Sequence, residues 1–242
     1  RASAEVLAGA GATVVCADVN GDAAETVAAA ITSAGGHAEA RPVDVSRRAD
    51  VDELIRATAS SHGRLDVMCN IAGIMHTSLV LETAEEDLDR VLAVNLKGVF
   101  FGCQAAGRVM AEQRSGSIVN MASGAIDAAT PGIACYAIAK AGVNQLTKTL
   151  AVELGPRGVR VNAVAPGYVV TAMTGRNFMR PDGTIDPERF EAAAGPMRRR
   201  SPLGLVGEPL DIAMAVLYLA SDASRFVTGQ TLRPNGGVAI TW

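Results

Sequence analysis

Tyr136 and Lys140 stand four residues apart in the run Cys135-Tyr136-Ala137-Ile138-Ala139-Lys140, and Ser123 closes the apolar segment Ser117-Ile118-Val119-Asn120-Met121-Ala122 upstream. On a helix, positions i and i+4 share a face, so the amine of Lys140 can stand beside the phenol of Tyr136. A free tyrosine titrates near pH 10 and is a poor base at neutrality. A positive charge about 5 Å away, at an effective dielectric of about 20, favours the phenolate by roughly 3 kcal/mol and lowers its pKa by about 2. The spacing therefore describes a proton-transfer site, with the serine hydroxyl as a second hydrogen-bonding group. The ordinary alternative is a packed ring beside a snorkelling amine. What argues for chemistry is the company the pair keeps.

The 242 residues are enough to bury a core and read as one α/β domain over 1–242. A net charge of -3 and a pI near 5.7 leave no basic footprint for nucleic acid or for an anionic membrane. Cys16, Cys69, Cys103 and Cys135 are scattered, three of them in or beside apolar patterns, and are expected to be buried, reduced thiols of a cytoplasmic protein. His37, His62 and His76 have no ligand spacing among themselves or with the cysteines, so no metal is expected. The chain carries neither a long uninterrupted apolar stretch nor a signal-peptide pattern, and no membrane partner is expected.

The elements that must position the site alternate. Short β-branched runs recur at Thr13–Ala17, His37–Val43, Leu65–Asn70, Ser117–Ala122, Val159–Ala165 and Gln230–Leu232. Between them lie Ala-rich stretches with helical periodicity at Ala23–Ala34, Ala49–Ser61, Glu85–Gln113, Tyr136–Leu154 and Leu210–Ala220. Thr83 and Glu86 predict a capping box for the third of these. Such alternation predicts a doubly wound, mostly parallel, Rossmann-like sheet with helices on both faces. Asp18, Asp44, Asn70 with Ala72-Gly73, Ser123, and Pro166-Gly167 then all fall at the carboxyl ends of strands, where ligands of open α/β sheets bind. Turn propensity explains each of these positions singly, but it does not explain the Tyr136 and Lys140 helix.

Asn70-Ile71-Ala72-Gly73, Asn95 within Val94-Asn95-Leu96-Lys97-Gly98, Ser123, Tyr136 with Lys140, and Pro166-Gly167-Tyr168-Val169-Val170-Thr171 together resemble the short-chain dehydrogenase/reductase family in its single-domain form. The resemblance runs from the first residue to Asn235-Gly236-Gly237. It implies hydride transfer with a nicotinamide cofactor, Tyr136 as general acid/base and Ser123 as hydrogen-bond partner of the substrate oxygen. It implies that Lys140 holds the nicotinamide ribose hydroxyls and lowers the tyrosine pKa, while Asn95 anchors a water that passes protons to Lys140. Asn70, Ala72 and Gly73 would shape the floor under the cofactor, Val169 and Thr171 would meet the carboxamide, and Asp44 with Val45 would touch the adenine. Ile71 stands where the family commonly has a second Asn. The family usually forms homotetramers through its long helices, and the same is expected here.

The larger departure is at the start. The family opens with a strand and a Gly-rich turn that presents backbone N–H groups to the pyrophosphate. In this sequence Arg1–Ala8 resembles the helix after that turn, and Gly9 and Gly11 read as that helix's C-cap. We expect a sheet without its first, central strand, about twenty further residues upstream, and weak cofactor binding by the 242 residues alone.

Asp18 is placed to accept hydrogen bonds from the adenosine ribose and to repel a 2'-phosphate, so NAD is the expected cofactor; its competing role is to start a turn with Asn20-Gly21. Residues 172–209 hold Met173, Phe178, Met179, Phe190 and Met197 with the turn signals Arg180-Pro181-Asp182-Gly183 and Asp186-Pro187, and read as a substrate lid or as an ordinary two-helix excursion. Arg198-Arg199-Arg200 reads as a solvated or intersubunit charge cluster, and His76 as an exposed loop residue that could line the pocket. The expected activity interconverts a secondary alcohol and a ketone. The alternatives are an NADPH-dependent 3-oxoacyl-carrier-protein reductase and a truncated, non-catalytic binding or scaffold subunit.

Overall fold

The structure, a computed structural model, describes residues 1–175, 178–180, 182 and 184–240. In chain order its elements are α1 (Ala2–Gly9), β1 (Thr13–Asp18), α2 (Gly21–Ser33), β2 (His37–Pro42), α3 (Arg48–His62), β3 (Val67–Asn70), α4 (Glu85–Leu92), α5 (Gly98–Gln113), β4 (Gly116–Met121), α6 (Ala134–Leu154), β5 (Val159–Val164), α7 (Ala172–Gly175), α8 (Pro187–Arg200), α9 (Pro209–Ala220) and β6 (Thr231–Leu232). Every paired strand is parallel. Among the described strands, β1 and β2 form one ribbon and β3, β4, β5 and β6 form another, in that order.

Side chains alternate across the larger ribbon and bury both of its faces. Ile118, Ala122, Val161 and Ala163 pack on one side with Val51 and Ile55 of α3, Val99 and Met110 of α5, and Val143 of α6. Val119 and Val164 point the other way, against Ile212, Val216 and Leu219 of α9. This two-sided covering is the doubly wound, Rossmann-like arrangement that the alternating sequence predicts. Helix α1 joins the ribbons: Ala4 and Ala8 pack with Cys16 of β1 and Ala24, Ala28 and Ile31 of α2, while Leu7 packs against the α9 cluster.

Two local expectations fail. The predicted capping box does not form, because the Thr83 hydroxyl is committed to Leu79 O at 2.9 Å and to Ser78 Oγ at 2.7 Å; Ala84 is the N-cap of α4, without a side-chain bond. Glu85, Glu86 and Asp87 in the first turn answer the helix dipole instead. The predicted continuous helix Glu85–Gln113 is interrupted by a π-turn over Ala93–Lys97. That wider turn carries Asn95, whose side chain bonds the backbone of Ile74 in the loop after β3.

Within 172–209, Asp186 caps α8 by accepting from the amides of Glu188 and Arg189, with Pro187 in the first turn. Phe178 is fully buried and meets Phe190 edge-on at 5.1 Å. Of the expected turn Arg180-Pro181-Asp182-Gly183, Pro181 and Gly183 lie outside the described residues.

Close approach between α5 and the sheet requires Gly102. A Cβ there would collide with Asn70 Oδ1 and stand 2.9 Å from Met68 Cε. Gly102→Ala is expected to destabilise the fold by about 1–3 kcal/mol through overpacking, read as a lowered urea midpoint; a midpoint equal to the parent's would contradict this packing.

Candidate active site

Helix α6 begins just after Gly132, whose positive φ of 83° turns the chain, and places Tyr136 in its first turn with Lys140 one turn on. Lys140 is 2% exposed. Its Nζ donates to the carbonyl of Met121, at the end of β4, at 2.7 Å, and stands over the Tyr136 ring at 5.6 Å from the centroid. Burial pushes its pKa down to about 8. Tyr136 moves in the opposite direction. Burial raises the phenol, and a hydrogen bond from Ser123 opposes the rise. The lowering by Lys140 expected from the spacing is not found: the ammonium sits over the ring face, spends a proton on a backbone carbonyl, and is itself disfavoured by burial.

Ser123 extends β4 with φ -167° and opens a single 3-10 turn over Gly124–Ile126. Its Oγ accepts from Ala125 N at 3.2 Å and reaches the Tyr136 phenol. A carbonyl oxygen entering beside both hydroxyls would meet two donors.

Asn95 is completely buried, and its amide is bound at both ends by Ile74, accepting from the N–H and donating to the C=O, each at 2.8 Å. This pair fixes the loop after β3 against the π-turn between α4 and α5. Gly73 lies there with the space of its missing Cβ 3.2 Å from Asn95 Oδ1 and 3.7 Å from Lys140 Nζ. Any side chain at 73 would fill the space in front of the ammonium. An ammonium with three donors, one of them used by Met121, facing a gap that only glycine leaves open, fits a hydroxyl-bearing group such as a ribose.

Other predicted residues take different places. Asp18 is exposed at the end of β1, accepts from Asn20 N at 2.9 Å and thereby starts the turn that Asn20 continues by capping α2. Asp44 accepts from the Ser46 hydroxyl at 2.6 Å and the Ser46 amide at 2.9 Å, which lower its pKa. Val43 N donates to Asp18 O at 2.9 Å, holding the β1 and β2 ends together. Ala72 is exposed, and Thr171 is exposed at the start of α7 with its amide on Thr174 Oγ1. Pro166 O accepts from Gly124 N at 2.8 Å, which ties the Pro166-Gly167 corner to the Ser123 turn.

Three of the predicted side chains are packed into the core. Asn70 donates to Asn120 Oδ1 at 2.9 Å beneath α5; Val45 packs against Gly98 in the core; and Val169 joins the α9 cluster, its carbonyl accepting from Thr174 Oγ1 at 2.7 Å. A strand places alternate residues on opposite faces, and the last residue of β3 falls on the covered one. His76 is partly buried, between Ser78 Oγ at 3.0 Å and Asp87 at 3.5 Å.

Sequence reading missed the supports. Asn120 donates to Thr147 Oγ1 at 3.0 Å, and Thr147 donates to Val143 O at 2.8 Å, so a buried polar chain runs from β3 through β4 to α6. An Asn in the middle of an apolar strand was the available signal. A cavity of about 670 Å³, lined by Asp66, Gly116, Arg160 and Phe226 among others, opens at the amino ends of β3, β4 and β5, the opposite edge from Tyr136.

Comparison with known proteins bears on this geometry. A family model described as enoyl-(acyl carrier protein) reductase matches residues 1–239. A 3-oxoacyl-[acyl-carrier-protein] reductase from Thermotoga maritima is 38% identical over 240 residues, 99% of this chain and 93% of that one. Its counterpart from Synechocystis is 39% identical over 242 residues, 99% of this chain and 92% of the relative. The crystal structure of a gluconate 5-dehydrogenase from Burkholderia cenocepacia in complex with NADP and tartrate superposes with a TM-score of 0.88 at 33% identity, covering 98% of this chain and 89% of that one. A short-chain type dehydrogenase/reductase from Mycobacterium marinum superposes with a TM-score of 0.86 at 32% identity, covering 99% and 90%.

Holding Lys140 as an ammonium has a measurable cost. Its folded pKa of about 8 lies below the ordinary 10.5, so between those values the unfolded chain holds a proton that the folded chain has shed. Stability at this residue is therefore lowest below pH 8 and rises up to pH 10.5, by about 3 kcal/mol in all. Lys140→Met should remove that slope and be as stable as the parent, or more so, at pH 7. Parallel urea titrations of both proteins across this range that keep a constant offset would refute the assignment.

Proposed function

The chain belongs to the short-chain dehydrogenase/reductase family, and we propose that it reduces the 3-oxo group of an acyl thioester to a secondary alcohol. It is an oxidoreductase of a family that works with a nicotinamide cofactor, which when bound supplies a hydride to the carbonyl carbon. The observation that carries the reductive reading is the likeness along nearly the whole chain to 3-oxoacyl-[acyl-carrier-protein] reductases, joined to the placement of Ser123 beside Tyr136 and Lys140. Reduction needs a proton donor at the substrate oxygen, and the Tyr136 phenol, protonated at neutral pH, supplies it.

In this reading Ser123 donates to the substrate oxygen and orients it, and Tyr136 transfers its proton as the oxygen becomes an alkoxide. Lys140 binds ribose hydroxyls with its remaining donors and stabilises the tyrosinate left behind. Asn95 holds the loop of Ala72 and Gly73 in place and anchors a relay water to Lys140. Pro166, Gly167, Val169 and Thr171 meet the nicotinamide end through backbone and hydroxyl groups, and Asp44 and Val45 border the adenine. Asn70 supports this floor from within the core. Residues 172–209 form the lid, where partly exposed Met179 and Ile185 offer apolar surface suited to an acyl chain. Exposed Phe100 and Ile138 on the long helices support a homotetramer, and four free cysteines support a cytoplasmic setting.

The choice of dinucleotide rests with Asp18. Its exposed carboxylate supports NAD(H), since a 2'-phosphate would meet like charge, while the NADP complex of the gluconate 5-dehydrogenase supports NADP(H). Asp18→Ser should raise the ratio of kcat/KM for NADPH to that for NADH by about 10-fold or more. An unchanged ratio would remove Asp18 from the ribose pocket.

A second reading, oxidation of a polyol-like secondary alcohol, is favoured by the gluconate 5-dehydrogenase likeness. Following nicotinamide absorbance with a 3-oxoacyl pantetheine thioester and with a keto-sugar acid separates the two. The thioester is expected to be preferred; turnover of the sugar acid alone would reverse the conclusion. Tyr136→Phe should lower kcat by about 10²–10⁴-fold with cofactor affinity retained, and full turnover in that variant would exclude the phenol as proton donor.

A further inference from the structure

Ser123 sits at the start of a turn whose far end is tied down by a residue 106 positions away. Asp127, closing that turn, has a side chain only 6% exposed, and Arg233 holds it with a two-pronged grip, Nε to Oδ2 at 2.8 Å and Nη2 to Oδ1 at 3.2 Å. Arg233 Nη1 also donates to Thr231 O at 3.1 Å, which fixes the guanidinium to the end of β6. Among the described residues, the other ion pairs join positions no more than 23 apart, as in His62 with Glu39, and none has a partner as deeply buried as Asp127.

The chain after β6 touches the site a second time. Gly167 N donates to Pro234 O at 3.1 Å, Gly124 N donates to Pro166 O at 2.8 Å, and a Cβ on Gly124 would lie 3.1 Å from that carbonyl. The Ser123–Asp127 turn, the Pro166-Gly167 corner and the Arg233-Pro234 segment thus close a ring, in which the ion pair is the only side-chain link described. Asp127 N also donates to Gly124 O at 3.1 Å and Ile126 N to Ser123 O at 3.2 Å, so Asp127 and the serine belong to one hydrogen-bonded turn. A buried ion pair is a weak source of net stability, because desolvation offsets the attraction. Its definite effect is geometric: a planar fork on a planar carboxylate permits one orientation.

We propose that Arg233 and Asp127 are positioning residues that set where the Ser123 hydroxyl meets the substrate oxygen. The inference rests on the reductase reading above, in which Ser123 touches that oxygen. Arg233→Lys keeps the charge and loses the fork; Asp127→Asn keeps the shape and loses the charge; Arg233→Met removes both. Each should lower kcat for ketone reduction, by about 10- to 100-fold for the Met variant and less for the other two, while KM for the nicotinamide cofactor stays within about 3-fold. Amide hydrogen exchange at Gly124, Ala125 and Gly167 should accelerate, with exchange in β4 and β5 unchanged.

If Arg233→Met fails to fold, the Lys and Asn variants carry the decision. Variants with parental kcat and parental exchange at those three amides would overturn the proposal, as would a loss shared equally by cofactor KM, β4 exchange and melting temperature, which marks mere structural damage. Should the parent enzyme reduce no ketone, the reductase reading falls by itself, and the exchange at Gly124 and Gly167 still decides whether the clamp positions the turn.

Discussion

An ammonium enclosed by protein is the constraint around which this site is built. Lys140 has left water almost entirely, and its pKa has fallen to about 8 in consequence. A chain optimised for stability alone would place an apolar residue there. The fold instead supplies one carbonyl from the end of β4, an aromatic face from the preceding turn of the same helix, and an open approach at Gly73. One of those provisions is the end of a strand, one a helix turn and one a loop at the carboxyl edge of the sheet, so strand order, loop conformation and helix register are all answerable to one buried charge.

The loops are held from behind by polar groups with no surface role. Asn95 binds both backbone groups of Ile74, and Asn70, Asn120 and Thr147 form a line through the core, with Cys103 donating to Asn120 at 3.3 Å. A buried amide with satisfied partners adds only modest net stability but tolerates few alternative arrangements. That property suits a site whose reacting groups must keep their spacing. Burial also raises the Cys69 and Cys103 thiols to about 12, so neither is a thiolate that could compete as a nucleophile.

Much of this was legible in the sequence, and the division between what was and was not follows physical lines. Strand and helix alternation reads directly, because it is written in periods of two and of three to four residues. The Tyr136 and Lys140 pair reads for the same reason: helical spacing fixes a shared face. Side-chain direction at strand ends does not read, since one residue of register decides whether Asn70 faces the cofactor edge or α5. The Thr83 capping box failed because a hydroxyl chooses among local carbonyls that only the folded loop brings near. Arg233 and Asp127 were invisible because nothing local links residues so far apart in the chain.

The pKa expectation failed for a more general reason. Coulomb attraction between an ammonium and a phenolate was counted from the spacing, and desolvation was not. Burial acts on both groups at once and drives each toward its neutral form: the phenol rises, the amine falls, and Ser123 is the only partner opposing the rise of the phenol. At rest the phenol therefore keeps its proton, and the tyrosinate is reached only through the proton transfer itself, whichever way the reaction runs. The same two residues serve proton transfer in either direction by microscopic reversibility, so the direction is set by which substrate and which form of the cofactor the site meets.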